Sequence, residues 1–185
     1  MKSLIQHIQE KLVINRNTNI TYNYHPKTKE ELVEIIKSEV EKNGWECDLN
    51  HIDVSQITDM SYLFSSHKVS GFGLSDFNGD ISDWDVSKLE NMRGMFLGAY
   101  LFNQHIMDWD VSNVTNMSGM FQHATKFNQP ISNWNVSCVE FMHNMFSFAK
   151  SFNQDLSKWK IKPTCNTDAM IYNCPIKEEY KPKKK

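Results

Sequence analysis

Apolar residues in this chain recur on a fixed frame. Phe77, Phe102, Phe127 and Phe152 stand 25 residues apart, and Trp84, Trp109, Trp134 and Trp159 keep the same interval. A period of this length predicts a solenoid, because each unit is too small to bury its own apolar face and must bury it against the next. Two shorter periods separate inside one unit. Trp134 and Val136 alternate with polar Asn133 and Asn135, as in a half-buried strand that Ile131 opens. Val139, Met142, Met145, Phe146 and Ala149 follow at helical steps and predict a short helix or 3₁₀ turn. Ser87, Ser112 and Ser137 stand where the helical spacing starts, and Glu90 and Glu140 complete S-x-x-E capping boxes with the first and last of them. Asn78, Asn103, Asn128 and Asn153 follow the repeat's Phe and read as a structural ladder of amides bonded to one another and to turn backbone.

The frame extends at both ends. Leu49, Ile52, Val54, Ile57, Met60, Leu63 and Phe64 align with Ile81, Trp84, Val86, Leu89, Met92, Met95 and Phe96 at an offset of 32, one period plus seven. The surplus fits the Ser/Gly-rich Ser65–Ser75 stretch, read as ordinary loop variation. Upstream, Thr28 and Glu31 form a capping box before Leu32, Ile35, Ile36 and Val40, an amphipathic helix ending near Gly44 that would cover the first unit. Leu4, Ile5, Ile8 and Leu12 predict an earlier helix, and Asn17 to Tyr24 an extended arm. Beyond Trp159 and Ile161 the frame decays, with Met170, Ile171 and Cys174 keeping part of the helical face. The expected fold is therefore α/β: a leucine-rich-repeat-like solenoid with short parallel strands and short helices. Residues 1–44 form its N-terminal helical cap, residues 45–175 about five units of the repeat, and residues 176–185 a disordered basic tail.

Composition narrows the function more than it names one. A formal charge of −2 gives no electrostatic case for nucleic acid, and the lysines of the tail read as a solvated end. MKSLIQHIQEKLVINRN has no apolar run or cleavage site of a signal peptide, the first Cys is Cys47, and no stretch is long enough to span a bilayer. The expectation is a cytoplasmic chain that does not insert into membranes. Cys47, Cys138, Cys165 and Cys174 form no C-x-x-C and read as free thiols, Cys174 in the slot of Ala99, Ala124 and Ala149. A zinc site built from them with some of the seven His lacks ligand spacing. Glycine-rich phosphate loops, H-E-x-x-H and G-x-S-x-G are absent, and His105 beside Asp108 or Asp110 is the sort of proximity any repeat surface offers. No enzyme, cofactor or resident metal is expected.

The I-x-x-W-x-V cadence has the form of L-x-x-L-x-L with Trp substituted for Leu. Phrases such as FNQPISNWNVS and NVTNMSGMF, over roughly residues 45 to 175, resemble the 25-residue repeats of the BspA-like leucine-rich repeat surface proteins, first noted as mycoplasma lipoprotein repeats. That resemblance implies a bacterial surface protein, often lipid-anchored or secreted, used for adhesion and without catalytic residues.

The positions that alternate outward remain as the candidate site. Asp83 and Asp85, then Asp108 and Asp110, then Asn133 and Asn135, then Lys158 and Lys160 occupy matching slots, so a face running from acidic through neutral to basic is expected. Calcium bridging of the Asp columns is a lesser reading, since no D-x-D-x-D-G loop is present. The expected function is non-enzymatic: a monomer that binds a protein partner through this face. The other reading is a repeat protein with a structural role and no dedicated partner.

Overall fold

The computed structural model describes residues 21–66 and 73–184. The helix expected around Leu4 to Leu12 and the middle of the Ser65–Ser75 insertion lie outside the described residues. Helix α1 spans Lys29–Asn43; β1 (Lys160–Ile161) and β2 (Lys183–Lys184) pair in parallel, with Lys160 opposite Lys183. A 3₁₀ turn, Glu178–Tyr180, precedes β2.

This overturns the expected leucine-rich-repeat-like solenoid of short strands and short helices. From Gly44 to Trp159 the described residues contain neither a helix nor a strand pair, only turns and single-residue parallel bridges. Backbone conformation explains the missing helices. The stretch that reads as helical carries a positive φ at Gly94 and Gly98, at Gly119 and His123, and at Asn144 and Phe148. A left-handed residue at every fourth position cannot belong to a right-handed helix. The N–H groups of Met95, Leu97 and Ala99 instead close four-residue turns onto the carbonyls of Met92, Gly94 and Phe96. Between them, Met92, Gly94, Phe96 and Gly98 donate to the carbonyls of Asn116, Ser118, Met120 and Gln122, one unit further along. Phe121, for example, repeats the pattern onto Met145 at 2.8 Å. The apolar spacing survives because overlapping turns also return a side chain to the same side about every third residue.

Where a strand was expected, Trp84, Trp109 and Trp134 close turns onto Ile81, Ile106 and Ile131. The serines read as helix caps do a different job: Ser87, Ser112 and Ser137 donate their backbone N–H to the side-chain Oδ1 of Asp85, Asp110 and Asn135, which makes each an Asx turn. Lys160 holds this slot in the last unit and has no acceptor to offer. That unit is the one in which an extended strand forms.

The resulting layers stack through side chains as well as backbone. Phe64, Phe96, Phe121 and Phe146 form one column of near-parallel rings, at 5.4 to 5.6 Å. Phe77, Phe102, Phe127 and Phe152 form a second, each ring about 4 Å from one in the first, as for Phe121 and Phe127 at 3.9 Å. Every indole N–H of the repeat reaches a carbonyl in the preceding layer, Trp109 to Ile81 at 3.2 Å and Trp134 to Ile106 at 3.1 Å. The Asn ladder runs through backbone: Oδ1 of Asn78, Asn103 and Asn128 accepts from the N–H of Asn103, Asn128 and Asn153. Gln104, Gln129 and Gln154 add a second column, donating to the carbonyls of the same asparagines.

Each end of the stack is covered. Thr28 caps α1 by accepting from the N–H of Glu31, and Gly44 ends it at φ 85° with its N–H on Val40. The buried face of α1, Leu32, Ile36 and Val40, joins the same core as the repeats. Asp48 and Asp59 bridge to Asp80 and Asn91, both at the offset of 32, so residues 45–64 form the first layer of the stack. The arm lies alongside, with Tyr24 bridged to Ile52. At the other end, the tail expected to be disordered is seated: Ile176 is buried, Leu156 donates to Tyr180 and Lys177 to Asn153 Oδ1.

Truncating Trp109 or Phe121 to Ala should cost about 3–5 kcal/mol, because the partners above and below are held by their own bonds and cannot collapse into the gap. Urea unfolding of both variants checks this, and losses under about 1 kcal/mol would break the assigned layering. Asn128→Ala removes the acceptor of the Asn153 N–H and should cost about 1–3 kcal/mol by the same assay.

Candidate functional site

The residues singled out from the sequence lie in matching slots of four successive layers. Asp85, Asp108, Asp110, Asn133, Asn135, Lys158 and Lys160 are exposed and Asp83 is half-buried. They stand on turns, not on a strand face, apart from Lys160 in β1. Asp85 and Asp110 each give Oδ1 to a turn N–H, at 3.0 Å, so these carboxylates build the backbone that displays them. The N–H of Asp83 donates to Asn50 Oδ1 at 2.9 Å.

The structure extends the face beyond those eight residues. Asp53 occupies the Asp85 slot one layer earlier, accepts from Ser55, and meets His25 Nδ1 at 3.1 Å. Its carboxyl sits below the usual range: burial works against ionisation, but the Ser55 and His25 bonds outweigh it. Tyr22 is on the same patch, its phenol pushed up by burial and then by Asp53, Asp85 and Asp83. The offset of 32 placed Asp53 within reach of sequence reading; nothing local signalled Tyr22 or His25. At the basic end, Lys183 lies opposite Lys160, and the register of β1 and β2 could not be read from a tail of Lys and Pro. Lys162 and Lys184 both act on the Cys165 thiol, which burial nevertheless raises.

Chemistry elsewhere is sparse. Ser118 Oγ and His143 Nδ1 are 3.1 Å apart, but among the described residues no carboxylate bonds the other ring nitrogen, and Ser118 is only 2% exposed. Glu39, buried in the cap, accepts from Tyr24 Oη at 2.9 Å and Asn43 Nδ2 at 3.0 Å, with His51 at 3.5 Å. It ties the arm and the first layer to α1. Cys47 and Cys165 are buried, and burial raises both thiols; Cys138 is exposed. Among the described residues no three His, Cys, Asp or Glu converge to hold a metal ion, and no helix is long and apolar enough to cross a membrane.

Asp59 and Asp80 contribute to the acid sensitivity of the stack alongside Asp53 and Asp155. Burial disfavours their charged forms, but Ser61, Lys29 and Asn91 around the first and Ser82, Asn50 and His105 around the second hold both carboxyls below the usual range. A carboxyl lowered in the folded state adds stability that is complete above its unfolded value of about 4 and is lost as pH falls through the folded value. Urea unfolding should therefore show this contribution unchanged from pH 7 to about 5 and disappearing below about 4. The double variant Asp59→Asn, Asp80→Asn keeps the turn acceptors and should flatten that fall.

A family model described as "Mycoplasma protein of unknown function, DUF285" matches residues 67–181. No curated protein and no solved structure matches the chain.

Proposed function

The chain belongs to DUF285, a Mycoplasma protein family of unknown function whose model spans more than half of it, and we propose that it is a non-enzymatic protein-interaction repeat module of the BspA-like surface-protein type. The observation that carries this reading is the graded face itself. Asp83, Asp85, Asp108 and Asp110 lead through Asn133 and Asn135 to Lys158 and Lys160, in register across four layers. The Phe, Trp and Val that recur on the repeat's frame and most of its Met are committed to the core, and these polar columns form a continuous surface across the layers. The resemblance of FNQPISNWNVS and NVTNMSGMF to repeats of adhesive surface proteins supports the same reading. A face of this kind orients a partner and speeds encounter more than it adds raw affinity.

The turn geometry fixes how to test it. Lys at positions 85 and 110 would remove turn acceptors, whereas Asn135 occupies the same slot and accepts from Ser137. Replacing Asp83, Asp85, Asp108 and Asp110 by Asn therefore removes four charges and leaves the acceptors. Against a protein recovered by the parent in pull-down, the variant should associate about tenfold more slowly at low salt. The difference should shrink near physiological ionic strength, where screening acts over about 8 Å. An unchanged rate in a folded variant would move binding off this face; a parent that captures no protein would favour a purely structural role.

A further inference from the structure

We infer that the stack carries a second site, for a small oxyanion of the carboxylate or phosphate type, in a notch between Arg93 and His143. It shares no residue with the charged columns and does not depend on that reading. Arg93, Ser118 and His143 occupy one slot in three successive layers. With layers about 4.8 Å apart, the backbones of Arg93 and His143 are about 10 Å apart, and only the short Ser118 side chain stands between them. Gly94 and Gly119 fill the neighbouring slot between Tyr62 and Asn144; the Tyr62 ring lies over Gly94, and the space above Gly119 is bounded by Gln122. Tyr62 and Asn144 have the same left-handed φ, 58° and 57°, so this backbone tolerates side chains, and the side chain missing at Gly119 leaves room beside Ser118.

The cavity measures about 150 Å³. That admits a carboxylate or a phosphoryl group and excludes a nucleotide or other ligand of several hundred Å³. Its polar lining comes from Tyr62, Arg93, Ser118, Gln122, His143 and Asn144, with no Asp or Glu among the lining residues. Amide, guanidinium and imidazole donors without a competing carboxylate select for an anion. Arg93 has the only guanidinium among the described residues. It lies 5.7 Å from the Tyr62 ring, and no described carboxylate pairs with it. Ser118 holds Nδ1 of His143 and thereby fixes the ring, leaving Nε2 to a further partner. Asp168 follows His143 in the same column, outside the lining, and donates its N–H to Asn166 Oδ1. The backbone N–H groups of Gly94 and Gly119 are already used, on Ser118 and His143. Recognition at this site is therefore by side chains.

The test is a titration of the isotope-labelled full chain, followed by two-dimensional NMR at constant ionic strength, with inorganic phosphate and, separately, acetate. The expected result is saturable shifts at the amides of Gly94, Gly119, His143 and Asn144. Saturation by phosphate alone assigns a phosphoryl group, and saturation by acetate alone a carboxylate; both support the site. Arg93→Gln, at an exposed position, should weaken binding about tenfold, and Arg93→Lys, which keeps charge but not the planar fork, by less. His143→Gln gives an independent check through the opposite wall. Shifts that grow linearly without saturation for both anions, or an affinity unchanged in Arg93→Gln, would overturn the proposal.

Discussion

Apart from that of Arg93, which goes to Asn91 Oδ1, the amide hydrogens from Met92 to Ala99 have two outlets, and the structure follows from how they are shared. Left-handed residues at Gly94 and Gly98 rule out the i to i−4 bonds of a helix, so Met95, Leu97 and Ala99 turn inward on their own layer while Met92, Gly94, Phe96 and Gly98 reach the next. A layer taken alone would leave four N–H groups and as many carbonyls unpaired. Each such group costs about 1–3 kcal/mol when buried, so a single layer has no independent stability. The fold must therefore be a stack, and the stack must be closed at its ends. Helix α1 closes the first layer with Leu32, Ile36 and Val40, and the run from Ile176 to Lys184 closes the last with Ile176, the partly buried Tyr180 and backbone pairing.

Side-chain choice obeys the same constraint. Because layers repeat in register, identical residues come to lie on top of one another, which suits flat rings and amides. The two Phe columns stack with interplanar angles of 3° to 13° where Phe96, Phe102 and Phe121 meet. Asn in the slot after Phe joins consecutive layers by accepting, at its side-chain oxygen, the backbone N–H of the Asn one layer on; Asp could also accept that bond but would stack unscreened charge. Gly98 and His123 share one left-handed slot, so the conformation alone does not require glycine, but at Gly98 a Cβ would collide with Ser66 Oγ. At Gly94 the neighbouring Tyr62 ring decides: a Cβ would fall 2.5 Å from it.

Much of this was legible in the sequence, and the failures have a common cause. The period, the members of the core, the cap of α1 from Thr28 to Gly44, and the first layer at an offset of 32 all rest on spacing, which survives any local conformation that returns side chains to one side. Element type did not survive. A step of three, three, one and three fits a helix and fits a run of overlapping turns equally well, and no single residue at positions 144 and 148 announces a positive φ: Asn tolerates it, Phe rarely does. S-x-x-E has the form of a capping box where Ser87 precedes Glu90, but Asp85, two residues before Ser87, is the stronger local signal. Of the site, the slots were legible and their chemistry was not, since Asp53, Tyr22, His25 and Lys183 arrive there through pairing between layers.

The charged face then raises a question that the turns themselves help to answer. Asp85 and Asp110 each commit one oxygen to a turn N–H, and Asn135 does the same with an amide oxygen, so the architecture asks for an acceptor and not for a charge. The negative charge that Asp53, Asp85 and Asp110 place in this slot on three successive layers is thus more than the turn requires. Stacking like charges about 4.8 Å apart costs stability that Asn in every slot would avoid. The same holds at the other end, where Lys160 gives up the Asx turn altogether and lies opposite Lys183 in a pair of like sign. A chain that forgoes the neutral solution at both ends of one face, while using it in the layer between, has a charge pattern that folding alone does not explain. The proposed recognition of a partner with the opposite gradient would account for both departures at once.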